Sequence, residues 1–256
     1  MSAPILIPAG NPSQWTGPTG NNTYLLPGRV PALVDAGVGN QEHLDSVAGA
    51  LEGRPLALVL ITHGHVDHVA GVPRIVERWP GVGVRGISEG AKLAPGERVE
   101  AGDTVLRVLP TPGHAPDHCC FFDEGSRDVF CGDLARAGGT VVIPATKGGD
   151  LAAYLDSLRA VRALNPARLL PGHGPIVDDP PTLIDSYLRH RAERDRQILE
   201  ALRAGEQTAA RIADAIYKGL PQQLQKAAVE TVLAHLIKLQ KEGRVEARND
   251  GWRQAG

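Results

Sequence analysis

The chain has 256 residues, of which 42% are hydrophobic and 22% charged, and it carries a formal net charge of −2. That length buries a full core, with room for one large domain and a small one. The near-balanced charge excludes a global pull toward nucleic acid or anionic membrane, and no run reaches the roughly 20 apolar residues that a membrane span needs.

The opening segment, Met1 to Pro8, has no basic stretch and too short an apolar run for a signal peptide, so a cytoplasmic setting is expected. Residues 5–8, 23–26 and 32–35 read as strands, apolar and bounded by Gly, Pro or Asp. Residues 40–51 read as a helix, and 56–61 as a strand that runs directly into Thr62-His63-Gly64-His65-Val66-Asp67-His68. A helix is expected over 68–79. Strands follow at 82–84, 104–109, 118–122 and 128–131. A helix over 150–164 places Leu151, Leu155, Leu158 and Val161 on one face, and a strand at 168–170 comes next. Strands interleaved with helices point to an α/β layered domain over 1–180. After Asp179-Pro180-Pro181 the pattern turns helical, with helices over 183–204, 208–217 and 226–242 and a hairpin over 243–253. Residues 181–256 are therefore read as a linking helix plus a small C-terminal domain.

The run at 62–68 brings His63, His65, Asp67 and His68 within six positions. Imidazole and carboxylate together suit zinc or a similar divalent ion. His63 and His65, two apart in extended backbone, project to one side. Asp67 and His68 fall where the next helix begins and approach from another direction. Three further segments end a strand on Gly beside a ligand-type residue: Gly113-His114, Gly132-Asp133 and Gly172-His173-Gly174. Five His and two Asp are too many for one tetrahedral ion and about right for two that share a carboxylate.

T-H-x-H-x-D-H followed in order by G-H, G-D and G-H-G resembles the metallo-β-lactamase fold superfamily. The resemblance implies a four-layer αβ/βα sandwich with the site at the edge of two facing sheets. It also implies that His63, His65 and His114 hold one ion, that Asp67, His68 and His173 hold the second, and that Asp133 bridges them. The ions would be zinc, with manganese and iron as alternatives. A narrower resemblance, to the lactamase-beta-two-like branch, rests on Asn21-Asn22-Thr23-Tyr24-Leu25-Leu26, on the run 111–118, on the run 170–177 and on Tyr187-Leu188-Arg189-His190-Arg191. Its best-known members are single-strand-specific endoribonucleases, and its C-terminal domain is a winged helix. Gly64 stands where those members carry a bulky aromatic residue, which opens the floor of the site.

The resemblance implies hydrolysis of an ester-type bond. Two ions about 3.5–4 Å apart would lower the pKa of a shared water toward about 7, and Asp67 would orient that water and accept its proton as it becomes hydroxide. The expected substrate is single-stranded RNA or a small ester or thioester. A β-lactam hydrolase, a glyoxalase II-like thioesterase and a non-catalytic winged-helix regulator are the alternatives. Thr62, Asp117 and His118 are candidates for orienting the ligands, and Trp15 and Lys147, on loops, for meeting substrate. Cys131 reads as a buried filler, His43 and His235 as surface residues, and the arginines around His190 as a solvated or interdomain face. The wing mixes Arg244, Arg248 and Arg253 with Glu246 and Asp250, a weak footprint for phosphates, so duplex DNA is not an expected partner. A monomer and a homodimer both stay open.

Overall fold

The computed structural model describes residues 3–88, 90–205, 207–249 and 251–255, so Met1 and Ser2 of the opening segment and Asp250 of the expected hairpin lie outside the described residues. Strands β1 (Ile5–Pro8), β2 (Asn22–Leu26), β3 (Ala32–Val34), β4 (Leu58–Leu60), β5 (Gly83–Gly86) and β6 (Ala91–Lys92) form one sheet in that order. β1, β2 and β3 pair antiparallel, and β3 to β6 pair parallel. A second sheet has the order β11 (Arg168–Pro171), β10 (Asp128–Gly132), β9 (Cys119–Asp123), β8 (Thr104–Pro110) and β7 (Arg98–Ala101).

Strand alternation sorts the side chains into layers. Tyr24, Leu26, Val34 and Leu60 face inward and meet Val108, Phe121 and Phe130 of the second sheet. The Tyr24 and Phe130 rings cross the interface edge to face, 5.6 Å between centroids. Their neighbours point the other way. Leu25, Leu33 and Val59 pack under α1 (Gln41–Leu51) and α3 (Val72–Arg78). Cys120, Phe122, Val129 and Cys131 pack under α4 (Leu151–Ala163) and the start of α5 (Pro180–Arg203). The result is the four-layer αβ/βα sandwich.

The helix expected over 68–79 is two pieces, α2 (Val66–Val69) and α3, parted at Gly71. Pro73 has no N–H to give back to Val69, and a Cβ on Gly71 would lie 2.1 Å from the Ala36 carbonyl. The chain breaks there so that it can press against the 36–39 loop. Strands β6 and β7 were not expected; both are short and bear exposed charged residues such as Lys92 and Arg98.

Past β11, Asp179 caps α5 by accepting from the Thr182 N–H. Ile184 and Tyr187 of this helix belong to the core under the second sheet. Ile198, Leu199 and Leu202, on its second half, belong to a separate core with α6 (Ala209–Ile216), α7 (Gln222–Lys241) and Val245. Strands β12 (Val245–Arg248) and β13 (Gly251–Gln254) close the chain as a hairpin. Among the described residues no helix is long and apolar enough to cross a membrane.

Candidate metal centre and its cleft

The seven sequence-predicted ligands meet at one end of the two sheets, carried by the segments that leave β4, β8, β10 and β11. His63 Nε2 and His114 Nε2 each lie 2.9 Å from His65 Nδ1. Three imidazole nitrogens this close together leave a common point for a cation, since about 3.3 Å separates two nitrogens of a tetrahedral zinc site. Beside this trio, His173 Nε2 is 3.4 Å from Asp67 Oδ2 and 3.3 Å from Asp133 Oδ1, and His68 Nε2 is 3.6 Å from Asp133 Oδ1. The other oxygen of Asp133 faces the trio, 3.5 Å from His114 Nε2. One carboxylate thus looks into both groups.

Glycine allows the crowding. A Cβ on Gly172 would lie 2.7 Å from the His68 ring and 3.0 Å from Asp133 Oδ1. Gly132, at φ 46°, would strike both His118 and Thr62.

Residues around the ligands hold their rings. Asp35, which the sequence did not single out, is buried at the end of β3 and accepts from His68 Nδ1 at 2.7 Å. It also accepts from the Thr62 N–H at 2.8 Å and from its hydroxyl, and that hydroxyl lies 3.1 Å from His63 Nδ1. Asn21 donates to Asp67 Oδ2 at 3.1 Å. Asn22 donates to the Pro171 and Gly174 carbonyls and so fixes the loop of His173. His114 Nδ1 is bonded to the Val142 carbonyl at 2.8 Å. His118 does not join the centre: its Nε2 accepts from the Asp133 N–H at 3.0 Å, and Nδ1 turns to Thr111. Asp117 accepts from the Gly64 N–H at 2.9 Å and pins the turn between the first two histidines.

The electrostatics divide along the same line. Burial, with His68 next, pushes His63 well below its usual range, and burial with His114 lowers His65. Burial lowers His118 to about 3, which suits its role as a neutral acceptor. In the carboxylate half, burial opposes charge on His68 and His173, yet Asp35 and Asp133 outweigh it at His68 and raise it to about 9. Asp133 and Asp67 raise His173 to about 10. Burial likewise works against the Asp133 anion, but His173 and His68 hold it well below the usual carboxylate range. Carboxylates buried this deeply draw positive charge into the centre. His68 Nε2 and Asp133 Oδ1 are buried and, among the described residues, have no hydrogen-bond partner. Buried polar atoms without partners are costly unless a cation completes them, so the donor set fits divalent metal.

The centre opens into a cleft of about 470 Å³ between the sandwich and the C-terminal helices. Trp15, Val141, Tyr217, Leu220, Leu224 and Ala228 line it together with His65, Asp67, His114, Asp133 and His173. Trp15 is 47% exposed and belongs to this wall. Lys147 does not reach the cleft; it is exposed on a 3₁₀ turn (Ala145–Lys147) that packs against α7, where Glu230 takes the Thr146 N–H and hydroxyl. His43 and His235 are buried, not exposed, at 2% and 0%. Of the arginines near His190, Arg191 is buried under the 141 carbonyl and Arg194 stacks on Tyr217, 4.2 Å from its centroid. Cys131 is buried and its thiol donates to the Ala135 carbonyl.

A family model described as the metallo-beta-lactamase superfamily matches residues 16–100 and 83–173. The chain belongs to the metallo-β-lactamase superfamily. A second model, the beta-lactamase associated winged helix domain, matches residues 208–252. The chain is 32% identical over 243 residues to the Beta-lactamase-like protein 2 homolog of Caenorhabditis elegans, covering 89% of this chain and 81% of that one. It is 30% identical over 252 residues to the Atrochrysone carboxyl ACP thioesterase of Aspergillus chevalieri, covering 91% and 79%. A solved metallo-beta-lactamase family protein from Thermus thermophilus shares the fold over 98% of both chains, with a TM-score of 0.82 at 22% identity. As a member of this superfamily, with lactamase-like and thioesterase-named relatives, the chain is a metal-dependent hydrolase.

Proposed function

We propose that the protein hydrolyses a thioester or ester whose acyl part is largely apolar, at a binuclear centre. His63, His65 and His114 would hold one ion, Asp67, His68 and His173 the other, and Asp133 would serve both. The observation that carries the substrate class is the cleft. Its wall away from the ligands is Trp15, Val141, Tyr217, Leu220, Leu224 and Ala228, and Arg136 is the one lysine or arginine lining it among the described residues. A site for a phosphodiester chain needs several cations along its path; an apolar wall with few polar groups suits an acyl chain. The thioesterase-named relative agrees with this choice.

Divalent ions held by these residues would supply Lewis acidity and a water acidic enough to be a nucleophile at neutral pH. The chain's own groups do the rest. Asp67, lowered by its His173 contact against the opposing effect of burial, is ionised at neutral pH and can take a proton at Oδ2, where Asn21 holds it. Thr62 and Asp35 keep His63 and His68 in fixed orientations. The apolar wall excludes water from the acyl group and seats its carbonyl against the ligand cluster.

A panel on zinc-, manganese- and iron-loaded protein decides the matter, setting an octanoyl thioester and its oxyester beside a single-stranded RNA oligomer and nitrocefin. Thioester or ester turnover that stops in chelator and returns with metal is the expected result. RNA cleavage with inert thioesters would replace this reading with the endoribonuclease one.

A further inference from the structure

Arg136 follows Asp133 by three residues, so its Cα lies within about 11 Å of that of the carboxylate facing both ligand groups. Its backbone is clamped by Tyr187, whose hydroxyl accepts from the Arg136 N–H at 3.1 Å and donates to its carbonyl at 2.9 Å. Its guanidinium donates to the Trp15 carbonyl through Nη1 at 2.8 Å. Among the described residues the buried Nε has no hydrogen-bond partner and no carboxylate pairs with the side chain. A fixed guanidinium with unused donors, set in a cleft whose far wall is apolar, is matched by a planar or tetrahedral anion that accepts in a fork.

We propose that Arg136 reads an anionic oxygen group, a carboxylate or a phosphate, carried by the substrate some distance from the bond that is cut. The occupant is then amphipathic: its apolar stretch lies on the wall of Tyr217, Leu220 and Leu224, and its anion on Arg136. This rests on the acyl-substrate reading above only for the shape of the occupant.

Calorimetric titration of the metal-loaded, full-length protein tests it with three non-thioester probes. They are a neutral N-butyl octanamide, the same amide ending in a carboxylate, and the same amide ending in a phosphate. Wild type should bind one of the anionic probes at least about tenfold more tightly than the neutral one, and which one identifies the group. Arg136→Met should bring the ratio of anionic to neutral affinity to within about twofold, and Arg136→Lys should restore part of it. No anion preference in wild type overturns the proposal, as does a preference that survives in Arg136→Met. Equal loss on all three probes also overturns it and assigns Arg136 only to holding the Trp15 loop. Anion selectivity without turnover of any ester or thioester would sink the acyl-hydrolase reading and leave Arg136 standing. Turnover without anion selectivity would do the reverse.

Discussion

Asp35 reaches the centre through its neighbours, and its influence there should exceed what its position suggests. It fixes His68 at 2.7 Å and, through Thr62, the ring of His63. Asp35→Ala is expected to weaken metal binding about 10- to 100-fold, measured by competition with a chromophoric chelator. Its φ of 62° is a conformation that asparagine tolerates, so Asp35→Asn should keep the fold and still lose metal affinity. His43 makes a different kind of test. Burial lowers its pKa to about 4, and its Nε2 meets the Thr23 hydroxyl at 2.8 Å. Between pH 6.5 and pH 4 the unfolded chain binds the proton and the folded one does not, so this residue's contribution makes stability fall as pH drops through that window. His43→Gln should flatten the slope of Tm against pH there; an unchanged slope would refute the account. The ligand set was legible because, of seven donors of two chemical types, five stand beside a glycine at a strand end and Asp67 and His68 come just after the first pair. Asp35 and Asn21 were not, because each is one acid or amide among many, and its meaning comes only from a partner 33 or 46 residues away. His43 and His235 were misread for a related reason. Helical periodicity gives a face but not what covers it, and His43 shares its buried face with Leu44 and Val47.

The α6–α7 segment acts here as a wall. In the winged-helix order α7 would be the element that enters a nucleic-acid groove, yet its Glu230 bonds Thr146, its Lys241 pairs with Asp150 at 2.7 Å, and Ala234 is buried in the core under the second sheet. Lys241→Ala should cost at most about 1 kcal/mol, because the pair is exposed. Leu220 and Leu224 line the cleft, and each partly buried leucine contributes about 1 kcal/mol to an apolar contact. The Leu220→Ala/Leu224→Ala double variant should therefore raise KM about tenfold or more for an octanoyl thioester and leave an acetyl thioester nearly unchanged. A uniform fall in kcat on both would mean that the wall supports the centre and does not contact substrate. The strong elements, β4 and α4 for instance, were readable from apolar runs and spacing. Strand β6 was not: two residues, both exposed, carry no pattern, and only pairing with β5 makes them a strand. The break at Gly71 needed knowledge of the Ala36 carbonyl across the fold.

For the whole molecule, the buried donors tie stability to metal. At a free concentration about 1,000 times Kd, an ion that binds only the folded state adds about 4 kcal/mol, or roughly 8–16 °C in Tm for a chain of this size. Thermal unfolding with and without chelator should show a shift of that order; none would mean the centre does not take metal tightly. Duplex DNA should show no salt-sensitive binding, because α7 already faces the sandwich. Most of the cleft was illegible in the sequence: the position of Trp15 on its loop marked it as a candidate, but Arg136, Val141 and Leu224 share no motif and converge only when both cores are assembled. That division of labour has a consequence. The groups that would cut the bond come from the sandwich, whereas much of the wall comes from residues 217–231, joined to it by one continuous helix. Mutation in the tail can therefore retune which molecules are admitted while the cutting apparatus stays as it is, so appetite and chemistry in this chain are free to drift apart.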